Sequence, residues 1–190
     1  MTKSRLEAFS DAVLAIIITI MVLELTIPHE ADLDALGPLV PVFLAYLLSF
    51  VNLGIYWNNH HHMLSVVERV NGKILWANLH LLFWLSLFPF VTGWMGENDF
   101  ASTPAAVYGL VSLLAAIAYY ILQMAILAEQ GPDSRLAAAL GNDLKGKASP
   151  IIYIAGISLA QVNRWFALTL YVLVALMWLV PDRRIESLER

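Results

Sequence analysis

Charged residues cut the chain into long apolar stretches. No Asp, Glu, Lys or Arg occurs in 35–67, 74–96, 100–128, 148–163 or 165–181, nor between Asp11 and Glu24. A helix needs roughly 20 apolar residues to cross a hydrocarbon core of about 30 Å. Runs 35–67, 74–96 and 100–128 therefore each hold one spanning helix. The stretch 148–181 is interrupted only by Arg164. It reads either as one very long helix or as two short ones that turn near Gln161-Val162-Asn163-Arg164.

The distribution of positive charge separates these two readings. With Lys3 and Arg5 on the cytoplasmic side, the loop from Pro28 to Gly37 lies outside and carries only Glu30, Asp32 and Asp34. Arg69 and Lys73 then fall inside, Glu97 and Asp99 outside, and Arg135, Lys145 and Lys147 inside. A turn at 161–164 also brings Arg183, Arg184 and Arg190 inside, whereas one long helix strands them outside. The pattern thus predicts an all-α integral membrane protein with six transmembrane helices, both termini cytoplasmic and no re-entrant segment. The helices are expected near 5–27, 38–66, 73–95, 104–129, 148–161 and 164–181, within one six-helix domain, 1–190. Punctuation agrees: Pro28 ends the first helix, Gly37-Pro38 opens the second and Asn71-Gly72 separates the second from the third. Thr103-Pro104 starts the fourth, Gly131-Pro132 ends it, and Ser149-Pro150 opens the fifth with Ser149 as its cap. Segment 133–147, with a short helical stretch Ser134 to Leu140, reads as an interfacial loop.

Composition reinforces the membrane reading. Of 190 residues, 59% are hydrophobic and only 14% charged, and the mean hydropathy is +0.70. A water-soluble domain is closer to half apolar and a quarter charged. The net charge of −4 and the scattered eleven Lys and Arg leave no basic face for nucleic acid. With no cysteine, disulfides, thiolate metal sites and cysteine nucleophiles are excluded. Arg5, Glu7 and Asp11 within the first apolar segment argue against a cleavable leader. The expected setting is the cell membrane, with the lipid bilayer as partner.

The first helix is the unusual one. Only twelve uncharged residues separate Asp11 from Glu24, about 18 Å of helix, so at least one of these carboxylates sits at or inside the bilayer boundary. Such groups face a bundle interior or water, or reach the headgroups by tilt. At 100° per residue, Phe9, Ala12, Ile16, Thr19, Ile20 and Leu23 share one stripe, apolar but for a single hydroxyl. Ser10 and Asp11 lie well away from it. Two such stripes imply protein or water on both sides, and periodicity alone does not say which faces what.

Arg5-Leu6-Glu7-Ala8-Phe9-Ser10-Asp11, continued by the apolar run Ala12 to Leu25, resembles the Arg-x-x-x-Phe-Ser-Asp signature opening helix one in the transmembrane-protein-175 family of potassium channels. Length and six-helix hydropathy fit its prokaryotic single-repeat branch. The resemblance implies a homotetramer with helix one lining the pore and K+ ions as the permeant species. No cofactor or metal is implied. It further places an apolar constriction at Ile16, further pore-lining positions at Ile20 and Leu23, and the selectivity layer at Thr19. Arg5, Phe9, Ser10 and Asp11 then anchor helix one, with Ser10 and Asp11 pointing into the subunit. Glu24 would sit at the outer mouth, where four copies concentrate cations. Without a Thr-Val-Gly-Tyr-Gly loop, selectivity rests on side chains rather than on rings of backbone carbonyls.

Partners for the motif are sought among His60, His61, Asn78 and His80. One histidine of His60-His61-His62 is expected to pack toward Ser10-Asp11, and His80 is a second candidate for Asp11. Adjacent histidines diverge by about 100° on a helix, so no intrasubunit metal site is expected. Trp84, Trp94, Trp165 and Trp178 read as interfacial anchors, as does Arg164. The rival classes are a proton-coupled carrier working through Asp11 or Glu24 and a membrane-embedded enzyme. The first lacks an internal repeat, the second a His-x-x-x-His or serine-elbow motif.

Overall fold

The computed structural model describes residues 2–131, 134 and 144–179. Among these the only regular structure is helical: α1 (Lys3–Leu23), a 3-10 turn (Leu33–Leu39), α2 (Val40–Ser65), α3 (Gly72–Leu85), α4 (Phe88–Glu97), α5 (Ser102–Gln130), α6 (Leu144–Ala160) and α7 (Arg164–Leu179). Lys3–Leu23, Leu33–Ser65, Gly72–Glu97 and Ser102–Gln130 are each long and apolar enough to cross a membrane, and Arg164–Leu179 is a shorter apolar helix. With α3 and α4 forming one span, six helical passes run through an all-α membrane protein. The turn expected at 161–164 is present: Val162 and Asn163 both donate to the Leu159 carbonyl before α7 begins. The stretch Ser134–Leu140 within the expected loop lies, apart from Ser134, outside the described residues.

Boundaries differ from the sequence reading where proline acts at a distance. α1 stops at Leu23, four residues short, because Pro28 has no N–H to return to the Glu24 carbonyl and pushes Ile27 out of the helical region. The third span is not continuous. Pro89 cannot donate to the Leu85 carbonyl and its ring crowds that group. The ladder therefore tightens, with Leu87 N bonding Trp84 O at 3.3 Å, and resumes when Val91 N reaches Leu87 O at 3.1 Å. Ser149 is not a cap. α6 already runs through it, and its hydroxyl donates to the Lys145 carbonyl, 2.8 Å away. By contrast Asn71 caps α3, its carboxamide oxygen accepting from Ile74 N at 3.0 Å.

α5 is the central post. It packs against α3, α4, α6 and α7, and α2 lies against α4 and α7. Its grip on α6 and α7 is built around Tyr171, which is fully buried. The ring fits only because Gly109 and Gly156 lack side chains. A Cβ on Gly109 would stand 2.0 Å from the Tyr171 hydroxyl oxygen, and one on Gly156 2.5 Å from its ring. The hydroxyl donates to Ala105 O at 3.2 Å. Gly96 does the same for α4 and α2, letting the Val42 backbone approach to 2.6 Å of where a Cβ would be. Small residues at crossings are how membrane helices gain packing contact without a hydrophobic drive between them. A polar knot sits beside this core, where Ser49 bonds Thr92 at 2.6 Å and Tyr108 at 3.2 Å, and Asn52 donates to Tyr108 at 3.0 Å.

Candidate functional site

α1 leans on α2, α3 and α4 and has two sides of opposite character. Leu6, Ser10, Leu14, Ile17 and Met21 are buried, a spacing of four, four, three and four that traces one helical stripe. Its polar member is held by a seam of neutral side chains. His60 Nε2 donates to Asn78 Oδ1 at 2.7 Å, Asn78 Nδ2 donates to Ser10 Oγ at 3.0 Å, and Ser10 Oγ donates to Leu6 O at 2.9 Å. All three residues are buried. Every step passes a proton donor to an acceptor and the chain ends on the α1 backbone, so α2, α3 and α1 are tied together without a buried charge. That arrangement avoids the desolvation cost an ionic link would carry in this setting.

The flanking motif residues lie elsewhere. Asp11 is exposed on the subunit surface and does not point into it; its carboxylate accepts from Trp57 Nε1 at 3.1 Å. A one-residue step from Ser10 turns it about 100° out of the seam, so Ser10 and Asp11 cannot both face inward. Trp57 is a residue the sequence did not single out, although an indole three residues before the His60-His61-His62 run is the detectable signal. His61 stacks on it, centroids 6.4 Å apart, and faces outward. His80 does not reach Asp11: it is exposed and accepts from Trp84 Nε1, one turn along the same helix, at 2.9 Å. Phe9 and Arg5 are exposed. Lys3 rather than Arg5 pins the start of α1, bonding the Ser65 carbonyl and lying 3.9 Å from Glu7.

Among the described residues, the opposite side of α1 has no partner within the subunit. Phe9, Ala12, Ile16, Thr19, Ile20 and Leu23 are all exposed, Ile16 to 58% and Leu23 to 76%. Thr19 Oγ1 donates to Ala15 O at 2.8 Å. Its proton is thus committed to the backbone and its lone pairs are turned outward. Glu24 follows the last helical residue as an exposed C-cap. Among the described residues no group of three or more His, Asp or Glu could hold a metal ion.

These features define a class: an all-helical, multi-pass membrane protein whose first helix is locked by a polar seam on one side and bare and apolar on the other. Comparison with known proteins narrows it. The family described as endosomal/lysosomal potassium channel TMEM175 matches residues 5–89. A potassium channel of Chryseobacterium sp. (strain P1-3) is 54% identical over 187 residues, 98% of this chain and 97% of its own. The crystal structure of a lysosomal potassium-selective channel TMEM175 homolog from Chamaesiphon minutus aligns with a TM-score of 0.84 at 27% identity, over 95% of this chain and 97% of that one. The endosomal/lysosomal proton channel TMEM175 of Rattus norvegicus is 30% identical over 140 residues, 66% of this chain but 28% of the rat protein. The chain belongs to the TMEM175 family, a family of ion channels and not of enzymes.

Proposed function

We propose that the protein is a potassium-selective, leak-type cation channel of the cell membrane. It works as a homotetramer with both termini cytoplasmic and four copies of α1 around the ion path. The observation that carries this is the two-sided α1. Its inward stripe is consumed by the subunit, and its other stripe, through Ile16, Thr19, Ile20 and Leu23, is exposed along the whole helix.

Ile16 forms the narrowest layer. Four isoleucines converging on an axis make an apolar collar that sheds water and so blocks a hydrated ion. Ile20 and Leu23 continue the apolar lining toward Glu24, whose four carboxylates raise the local cation concentration at the mouth. Thr19 discriminates. With its proton bound to Ala15 O, the hydroxyl offers only lone pairs to a partly dehydrated cation, and potassium sheds its hydration shell more readily than sodium. Ser10 and Asp11, held by Asn78, His60 and Trp57, set the rotation of α1 that decides which side chain reaches the axis.

Potassium flux into proteoliposomes tests the reading. Ile16→Asn should raise flux and Thr19→Ala should reduce the preference for potassium over sodium. Unchanged flux in Ile16→Asn overturns the constriction. Slow flux coupled to a proton gradient, without unitary steps in single-channel recording, establishes a carrier in place of a channel.

A further inference from the structure

A second site lies inside the subunit, away from α1. Between α2, α5, α6 and α7 there is an open cavity whose space, mouth included, amounts to about 550 Å³, within the range of sites that take a small organic molecule. Its wall is mostly apolar. Ile55, Ala116 and Val174 and the rings of Tyr56, Tyr153 and Trp178 supply most of it. Among the described residues no charged side chain lines it.

Set into this wall are idle polar groups. Gln123 is only 3% exposed and Tyr153 4%, and neither the Gln123 amide nor the Tyr153 hydroxyl bonds to any described residue. No fully enclosed side-chain nitrogen or oxygen lacks a partner, so both groups turn their small exposure to the cavity space. Each holds an unused donor beside an unused acceptor. Asn52 and Asn59 repeat the pattern. Each gives one N–H, to Tyr108 at 3.0 Å and to the Ile55 carbonyl at 2.8 Å, and keeps a second N–H and its side-chain oxygen. Trp178 Nε1 is already committed to Ser149 Oγ at 2.8 Å, so its indole serves the cavity as apolar surface. The wall is thus balanced, and it suits a guest that both gives and accepts a hydrogen bond. An ion would find no counter-charge here, and an uncompensated charge at membrane depth is strongly disfavoured. Water alone would meet the amides but would also wet the aromatic and aliphatic wall, surface that an apolar body covers favourably.

We infer that this cavity binds an uncharged amphiphile, a hydroxyl carried on an apolar body. A hydroxyl donates and accepts from one atom, so it matches the Gln123 amide and the Tyr153 phenol whichever end of them it meets. The body covers Ile55, Ala116, Val174 and the Trp178 indole. For a probe as small as para-bromobenzyl alcohol the dissociation constant is on the order of 1 mM. The same chemistry arrives either as a free aromatic alcohol or on a neutral membrane lipid with a free hydroxyl, such as diacylglycerol.

The test is quenching of indole fluorescence in the detergent-solubilised, full-length protein by para-bromobenzyl alcohol. Bromine quenches an indole at contact range, so Trp178 reports occupancy. A saturable component is expected above the linear quenching of indoles that face the micelle, and Trp178→Phe should remove it. The charged isosteres para-bromobenzoate and para-bromobenzylammonium should bind about tenfold more weakly or not at all. Gln123→Leu should weaken the alcohol about tenfold while para-bromotoluene, which has no hydroxyl, binds equally or more tightly. A misfolded variant would lose both. Ala116→Phe fills the space and should abolish the saturable component. Ile16→Asn should leave binding unchanged, and no flux enters the measurement, so this site and the channel reading fail separately. In nanodiscs, weaker apparent binding of the alcohol when diacylglycerol is present identifies the lipid as the natural source. Equal binding with and without it identifies the free alcohol. Absence of a saturable component, which leaves water alone in the cavity, overturns the assignment. So does equal binding of either charged isostere, survival of the component in Trp178→Phe, or undiminished alcohol binding by Gln123→Leu.

Discussion

α1 and α5 are both long apolar helices of one subunit, yet they spend their surfaces in opposite ways. α5 touches four neighbours and buries eleven of its residues, among them Tyr108, Ser112 and Gln123. α1 buries five, all on one stripe. Hydropathy does not separate the two, because Ile and Leu look alike to a sliding window whether they meet lipid, protein or a water-filled path. What separates them is the packing detail. α5 has a glycine opposite a tyrosine, while α1 has a serine opposite an asparagine and, among the described residues, nothing covering Ile16 and Ile20. A scaffold helix is recognised by what a neighbour inserts into it, and a candidate pore helix by the face that its own subunit leaves alone.

Substitutions can sharpen that contrast, and the largest effect should fall where α1 behaves most like α5. Asn78→Leu leaves both His60 and Ser10 without their buried partner and should destabilise the solubilised protein by about 2–4 kcal/mol. A thermal melt followed by intrinsic fluorescence reads the loss, and an unchanged melting temperature would show the seam to be dispensable. Gly109→Ala forces a methyl into the Tyr171 hydroxyl. It should cost about 1–3 kcal/mol in the same assay while leaving the potassium-to-sodium flux ratio unaltered. Ile16→Asn should do the reverse, raising potassium flux about tenfold, equivalent to about 1.4 kcal/mol, with no drop in melting temperature. A large stability loss there would mean that Ile16 is a packing residue and that the contrast fails. Trp57→Phe removes only the exposed bond to Asp11 and should shift stability by less than about 1 kcal/mol, measured in parallel with the others.

Much of this was legible in the chain. Charges delimit the spans because a bilayer tolerates few of them, so the passes and the turn before Arg164 follow directly from their spacing. The stripe of Ile16, Thr19, Ile20 and Leu23 follows from the 3.6-residue period. The choice within His60-His61-His62 resolves into His60 because only the residue facing α3 can meet Asn78, a fact that depends on how α2 is rotated rather than on local sequence. His80 looked equivalent on paper and turned out to serve its own helix through Trp84. The break before Pro89 and the early end of α1 come from a missing N–H four residues downstream, which a hydropathy profile does not register. The cavity between α2, α5 and α6 left no periodic signal at all, since Asn59, Gln123 and Tyr153 come from three helices and line one space only when those helices close around it.

The interruption ahead of Pro89 has a mechanical corollary. It divides the third pass into two struts, of which α3 holds the motif end of α1 through Asn78, while α4 packs on both α1 and α2 and abuts α2 at Gly96. A continuous rod would transmit any rocking of one extremity to the other. A jointed one lets a few torsions at Ser86 and Leu87 absorb it, so the strut that holds α1 and the strut that meets α2 can turn separately.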